Sequence, residues 1–254
     1  MSEQLPSVLA VELAAGLRTA MGSDLVAVYL YGSSTVGGFV AGVSDLDLLV
    51  VLERDLDDAA VAALGAVHAE AIAQHPEWDD RLELVYVGRS TLANFRSGGS
   101  LGVVSPGEPF HVRDGVELWI SNFYLARETG ATVFGPPPVE TIPSVSWADF
   151  RAEIRRYADE IRSRDMVEAT PGGRAYCVLT MCRALATLRD EQAYSKDEAA
   201  ALVRVAMPAW AWLIDEAARC RLSSGRTGLA DAAAIEAARR FVALVRDMID
   251  ASAR

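Results

Sequence analysis

The hydrophobic pattern divides the chain into two kinds of text. Residues 6–21 (PSVLAVELAAGLRTAM) space apolar positions three and four apart, which predicts a helix that Gly22 ends. Residues 25–31 (LVAVYLY) form a short continuous apolar run, the pattern of a buried strand, and a turn-rich segment follows from Gly32 to Ser44. Strands are predicted at 46–53 and 81–87, with an alanine-rich helix at 56–74 between them. Residues 97–109 (SGGSLGVVSPGEP) lack periodicity and predict a long loop, and 115–130 predict a helix ended by Gly130. The proline-rich stretch FGPPPVETIPS, 134–144, is the best boundary. Beyond it, helices are predicted at 146–166, 173–190, 196–206, 208–222 and 228–252, the third opened by a capping box of Ser195 and Glu198. The expected fold is an α/β (α+β) domain with a mixed sheet at residues 1–143, then an all-α helical bundle at 144–254. A cleft between two unlike domains is a usual place for a ligand.

Charge sharpens this division. The chain has 254 residues and a net charge of −11; residues 1–143 carry −12 and residues 144–254 carry +1. An acidic first half argues against nucleic acid as the partner, because phosphate backbones need cationic surface, and it suits a cationic one. No apolar run reaches the roughly 20 residues of a membrane span, and the N-terminus lacks the basic start of a signal peptide. Cys177, Cys182 and Cys220 lack metal spacing and are expected to be buried free thiols in a reducing cytoplasm. Of the 24 basic residues, Lys196 is the sole lysine.

The chemistry concentrates in residues 29–52, YLYGSSTVGGFVAGVSDLDLLVVL. Asp45 and Asp47 stand two apart in an otherwise apolar strand, so both side chains leave the same face, about 6 to 7 Å apart. Two such carboxylates repel unless a cation sits between them, and an oxygen-only donor set selects a hard ion, Mg²⁺ above all. Upstream, Gly32 and Ser33 follow a strand; glycine admits a phosphate to the backbone, and the serine hydroxyl adds a donor. Glu83, alone in the apolar strand RLELVYV, is the third carboxylate, able to join a metal shell or take a proton from an attacking hydroxyl. Together they predict a site for a nucleoside triphosphate with Mg²⁺.

A glycine-serine turn, an Asp-x-Asp strand and a later strand acid resemble the nucleotidyltransferase superfamily related to DNA polymerase β. The segment LARETGATVFGPP and the helix AYCVLTMCRALATLRD leading to YSKDEAA look like the bacterial aminoglycoside adenylyltransferases that modify streptomycin and spectinomycin. The resemblance implies a nucleotidyltransferase domain followed by a helical domain. It implies Gly32 and Ser33 at the triphosphate of ATP, Mg²⁺ on Asp45 and Asp47, and Glu83 as catalytic base touching a metal. It also implies Arg183 and Lys196 as cations for the ATP phosphates. The function implied is transfer of AMP from ATP to a hydroxyl of a small cationic sugar in the interdomain cleft, by a cytoplasmic monomer, conferring antibiotic resistance. The sequence departs from the family at Gly173, where an aspartate grips the antibiotic, and has no clear equivalent of a tryptophan used against streptomycin.

Other residues are weighed beside these. His111 and Trp119 are candidates for substrate contact. His68 and His75 are expected at the surface or a helix end, the residues 78–80 (WDD) in a solvated loop, and Trp147, Trp210 and Trp212 in the core. Glu108, Asp149, Asp165 and Glu168 are candidates to meet an acceptor amine, though charges at such positions are usually solvated. The competing readings are a nucleotidyltransferase acting on another small molecule or on a protein hydroxyl, and a catalytically inactive nucleotide-binding regulator.

Overall fold

The computed structural model describes residues 6–163, 166–226 and 228–251. The chain divides into two compact units, Met1–Phe150 and Arg151–Arg254. The first unit is built on a six-stranded mixed sheet. Its strands are β1 (Leu25–Leu30), β2 (Leu46–Leu52), β3 (Leu82–Gly88), β4 (Ser100–Ser105), β5 (Glu108–Asp114) and β6 (Ala131–Phe134), in the order β5-β4-β3-β2-β1-β6. β2 and β3 are parallel and the other neighbouring pairs antiparallel. The parallel pair needs a crossover, which α2 (Asp58–Gln74) provides; Asp57 caps it by accepting from the Ala60 amide at 2.8 Å.

Alternation along the strands sorts the two faces. Leu46, Leu48, Val50 and Leu52 of β2, with Leu82, Leu84 and Tyr86 of β3, enter a core shared with α1 (Pro6–Met21) and α2. Asp47 and Glu83 lie on the other face. A short α3 (Arg89–Ala93) follows β3, and α4 (Ile120–Thr129) leads to β6 and α5 (Pro138–Thr141). The first turn of α6 (Trp147–Ser163) still belongs to this unit: Phe150 stacks on Tyr124 with ring centroids 4.0 Å apart.

Three expectations are corrected here. Residues 97–109 are not a long loop: β4 and the start of β5 lie within them, because Leu101 and Val103 bury a face and the tight turn at Gly107 (φ +79°) closes a hairpin. The stretch 78–80 is not simply solvated, since Trp78 is fully buried with the Arg81 guanidinium 4.4 Å from its ring centre. His68 is not at the surface: it is 8% exposed, its Nε2 is 2.5 Å from the Tyr86 hydroxyl, and its ring meets Phe110 edge-on. His75 does sit near the surface, 2.7 Å from Glu12.

The second unit continues α6 and adds α7 (Met166–Ala169), α8 (Pro171–Asp190), α9 (Lys196–Ala206), α10 (Ala211–Leu222) and α11 (Ala232–Ala251). α8 buries residues all around its circumference, the mark of a central helix, and the others pack about it. The predicted capping box opens α9, with Ser195 accepting from the Glu198 amide at 3.2 Å and Glu198 accepting from the Ser195 amide at 2.9 Å. The three cysteines are free and buried, and burial pushes the Cys182 thiol up to about 12. Trp210 and Trp147 are half-buried, whereas Trp212 is 49% exposed rather than in the core. Among the described residues no helix is long and apolar enough to cross a membrane.

Burial lowers the His68 pKa to about 4 from its ordinary value near 6.5. The unfolded chain therefore takes up this proton first. The stability gained by burying a neutral imidazole is complete above pH 6.5 and is lost as pH falls toward 4, by up to about 3 kcal/mol. Urea unfolding at pH 7 and 4.5 should record that fall, and His68→Asn should show a smaller one.

Candidate active site

The site is set by how β2 and β3 align. Their parallel register places Asp47 opposite Glu83, one strand spacing apart and on one face. Asp45 immediately precedes β2, two residues before Asp47. All three are half-buried rather than fully exposed. The sequence expectation of a strand glutamate beside Asp47 has its structural counterpart in this register.

Gly32 completes this edge. A Cβ on it would lie 2.2 Å from Asp47 Oδ2, and its φ is +68°, a region that side chains strongly disfavour. Only glycine lets the turn lie against the Asp47 carboxylate. The neighbouring Tyr31 amide donates to the Asp47 carbonyl at 3.1 Å, continuing the β1–β2 ladder into the turn. Ser33 is half-buried, its hydroxyl has no partner among the described residues, and its carbonyl accepts from the Gly38 amide at 3.1 Å. The Ser34 hydroxyl oxygen is buried and also lacks a partner. The half-buried Ser33 hydroxyl suits a polar ligand at this turn.

Two further residues escaped the sequence reading. Tyr31 is 2% exposed, and its hydroxyl accepts from Asn122 Nδ2 at 2.8 Å. Burial first, then the charges of Glu83 and Asp47, hold its pKa well above the usual tyrosine value, while the Asn122 hydrogen bond opposes the shift. Tyr31 therefore stays neutral beside the acids, anchored to the first turn of α4. No local motif announces this, because 91 residues separate the partners.

The donor set fits a hard divalent cation: carboxylate oxygens only, on a rigid strand edge. Among the described residues, no three His, Cys, Asp or Glu side chains are gathered closely enough to hold a metal ion. Mg²⁺ is commonly held by one or two carboxylates with phosphates and water completing its shell, and Asp45 with Asp47 supplies that number.

The two predicted cations lie in the second unit. Arg183 is half-buried on α8 without a hydrogen-bond or ion-pair partner among the described residues. Tyr176, seven residues earlier, shares its face of the helix. Lys196 at the start of α9 stands with Nζ 4.5 Å from the Tyr176 ring centre, and the Tyr176 hydroxyl is hydrogen-bonded to that of Tyr157. Tyr176 and Tyr157, again missed in sequence, brace the lysine.

The remaining candidates are dispersed. His111 lies on β5, opposite Val103 of β4, with Nδ1 2.9 Å from the Pro109 carbonyl. That register puts it on the Glu83 face but two strands away. Trp119 caps α4, with Arg113 4.9 Å from its ring centre, one turn before Asn122. Asp149 is held below its usual pKa first by Arg96, 2.6 Å away, and then by Ser146. Glu168 pairs with Arg239, and Glu108 lies 3.8 Å from His111. Asp165 lies outside the described residues. At Gly173 a Cβ would fall 2.6 Å from the Met166 carbonyl, so the first turn of α8 has no room for an acidic side chain.

Residues 140–248 match the family model described as the C-terminal domain of aminoglycoside adenylyltransferases. Among solved structures, the chain is similar to spectinomycin adenyltransferase AAD(9) from Enterococcus faecialis, crystallised with ATP and spectinomycin. The TM-score is 0.75 at 18% identity, covering 94% of this chain and 97% of that one. The two share a fold. No curated protein sequence matches the chain.

Gly32→Ala tests the packing of the turn against Asp47. The left-handed backbone and the collision should lower unfolding stability by about 1–2 kcal/mol in urea titration.

Proposed function

We propose that this protein transfers AMP from ATP, in the presence of Mg²⁺, to a hydroxyl of an aminoglycoside or aminocyclitol antibiotic of the streptomycin or spectinomycin kind, and so confers resistance. The observation that carries the reading is the in-register placement of Asp47 beside Glu83, in a chain whose residues 140–248 match an adenylyltransferase domain. The shared fold with an enzyme crystallised with ATP and spectinomycin supports it.

Asp45 and Asp47 would hold Mg²⁺, which when bound neutralises triphosphate charge. Glu83, on the adjacent strand, takes the proton from the acceptor hydroxyl. That oxygen attacks the α-phosphorus in line, and the bond to the β-phosphate oxygen breaks, so pyrophosphate leaves with the electron pair. Gly32 lets the triphosphate approach the backbone and Ser33 donates its hydroxyl. Arg183 and Lys196 meet phosphate charge, the lysine as a point charge steadied by Tyr176. Most of the rate comes from position and fixed charge.

The acceptor is a cation, and the −12 of residues 1–143 favours its approach. Gly173 gives no carboxylate to it, so the grip on the antibiotic amines comes from other acids. Spectinomycin is the first acceptor to try, since the similar enzyme was crystallised with it. ATP as donor places the reaction in the cytoplasm.

Pyrophosphate release from Mg-ATP, with spectinomycin, streptomycin and kanamycin offered separately, tests this reading. Release is expected with spectinomycin or streptomycin. Asp47→Asn and Glu83→Gln should each lower kcat at least about a thousandfold, some 4 kcal/mol of barrier. Release that persists in both variants, or none with any acceptor despite ATP binding, would overturn it.

A further inference from the structure

The face of the sheet opposite the acids carries an open cavity of about 570 Å³ between α2 and the β4–β5 hairpin. It is separate from the candidate active site, because Leu82 lines it while the next residue, Glu83, points to the other face. Its floor is apolar, with Ala69, Ile72, Val104 and Phe110. Its rim carries three carboxylates, Asp79, Asp80 and Glu108, and no lysine or arginine lines it.

These acids are not consumed by structure to the same extent. Asp80, in a left-handed conformation at φ +59°, accepts from the Gly107 amide and ties the loop after α2 to the hairpin turn. Glu108 has a distant partner in His111 at 3.8 Å, outside hydrogen-bond range. The Asp79 carboxylate has no side-chain partner among the described residues. One buried polar group also lines the cavity. His68 is 92% buried by the 8% that remains exposed, its Nε2 is taken by Tyr86, and its Nδ1 has no partner among the described residues. A ring nitrogen left idle in the interior is costly unless something meets it.

We propose that this cavity is a second binding site, for a small organic cation whose ammonium group meets Asp79 and Glu108, whose apolar body lies on Phe110, and whose far polar atom hydrogen-bonds His68. Burial holds His68 neutral near pH 7, so the imidazole adds no competing positive charge. The volume suits a ligand of drug-like size, and a mostly apolar wall with few polar groups is how such sites are built. The assignment stands on cavity geometry and does not depend on the adenylyl-transfer reading.

Tyramine is a suitable probe, since it carries an ammonium, an aromatic body and a hydroxyl. Calorimetric titration of the full chain should give one site with a dissociation constant of about 1 mM or tighter. Tyrosol, the neutral alcohol of the same shape, should bind at least about tenfold more weakly, and so should tyramine to the exposed-site double variant Asp79→Asn/Glu108→Gln. Ala69→Trp, which fills the cavity, should abolish binding while the circular dichroism spectrum stays native. Glu83→Gln should leave tyramine affinity unchanged. Absence of binding, equal binding of tyrosol, or loss of binding in Glu83→Gln but not in the rim variant would each overturn the proposal; the last would place the cation at the acids of the opposite face.

Discussion

Two carboxylates set side by side on neighbouring strands repel one another, and the candidate site depends on the strand pairing that holds them there. The parallel register of β2 and β3 fixes Asp47 beside Glu83, and Asp45 precedes β2. Such an arrangement is costly unless positive charge or donors meet it. The surroundings are arranged accordingly. Gly32 removes a Cβ that would strike the Asp47 carboxylate, the β1–β2 ladder extends through the Tyr31 amide, and Asn122 of α4 fixes the neutral Tyr31 beside the acids. The strand interior supplies rigidity: Leu48, Leu49, Val50, Val51, Leu84 and Val85 are all fully buried. Burying those side chains, at about 1.5–3 kcal/mol each, holds the strands that set the acids in place.

The second unit applies the same logic with the opposite sign. α8 is buried around its circumference, so the side chains it does present are held on a stiff support. Arg183 has no hydrogen-bond or ion-pair partner among the described residues, and Lys196 is placed by a capped helix start and an aromatic ring. Packing and capping thus support two long side chains that are otherwise entropically expensive to order.

Much of this was legible in the sequence because it depends on short-range periodicity. The period of two placed Asp47 on the face opposite Leu46 and Leu48, and the isolation of Glu83 in an apolar run marked it. The capping box at Ser195 located α9 to the residue. What depends on contacts across the chain was not legible. Tyr31 and Asn122 meet only because α4 covers the sheet. His68 read as surface because α2 is alanine-rich and has no sharp apolar stripe, so its buried face could not be told from its exposed one. The β4–β5 hairpin hid behind four glycines and two prolines, although Leu101 and Val103 alternate as a strand requires. Trp212 misled in the other direction, an aromatic at helical spacing that faces solvent. Gly173 was read as a missing acid, and the structure adds the steric reason.

The central claim, that the paired acids exist to hold a metal-bound triphosphate, is tested most directly by thermal unfolding with the non-cleavable analogue α,β-methylene ATP. Mg²⁺ and the analogue together should raise the Tm of the native chain, by mass action on the folded state. The analogue with chelator should do so far less, and Asp45→Asn/Asp47→Asn should lose the metal-dependent part. An equal rise with and without Mg²⁺, unchanged in the double variant, would contradict it.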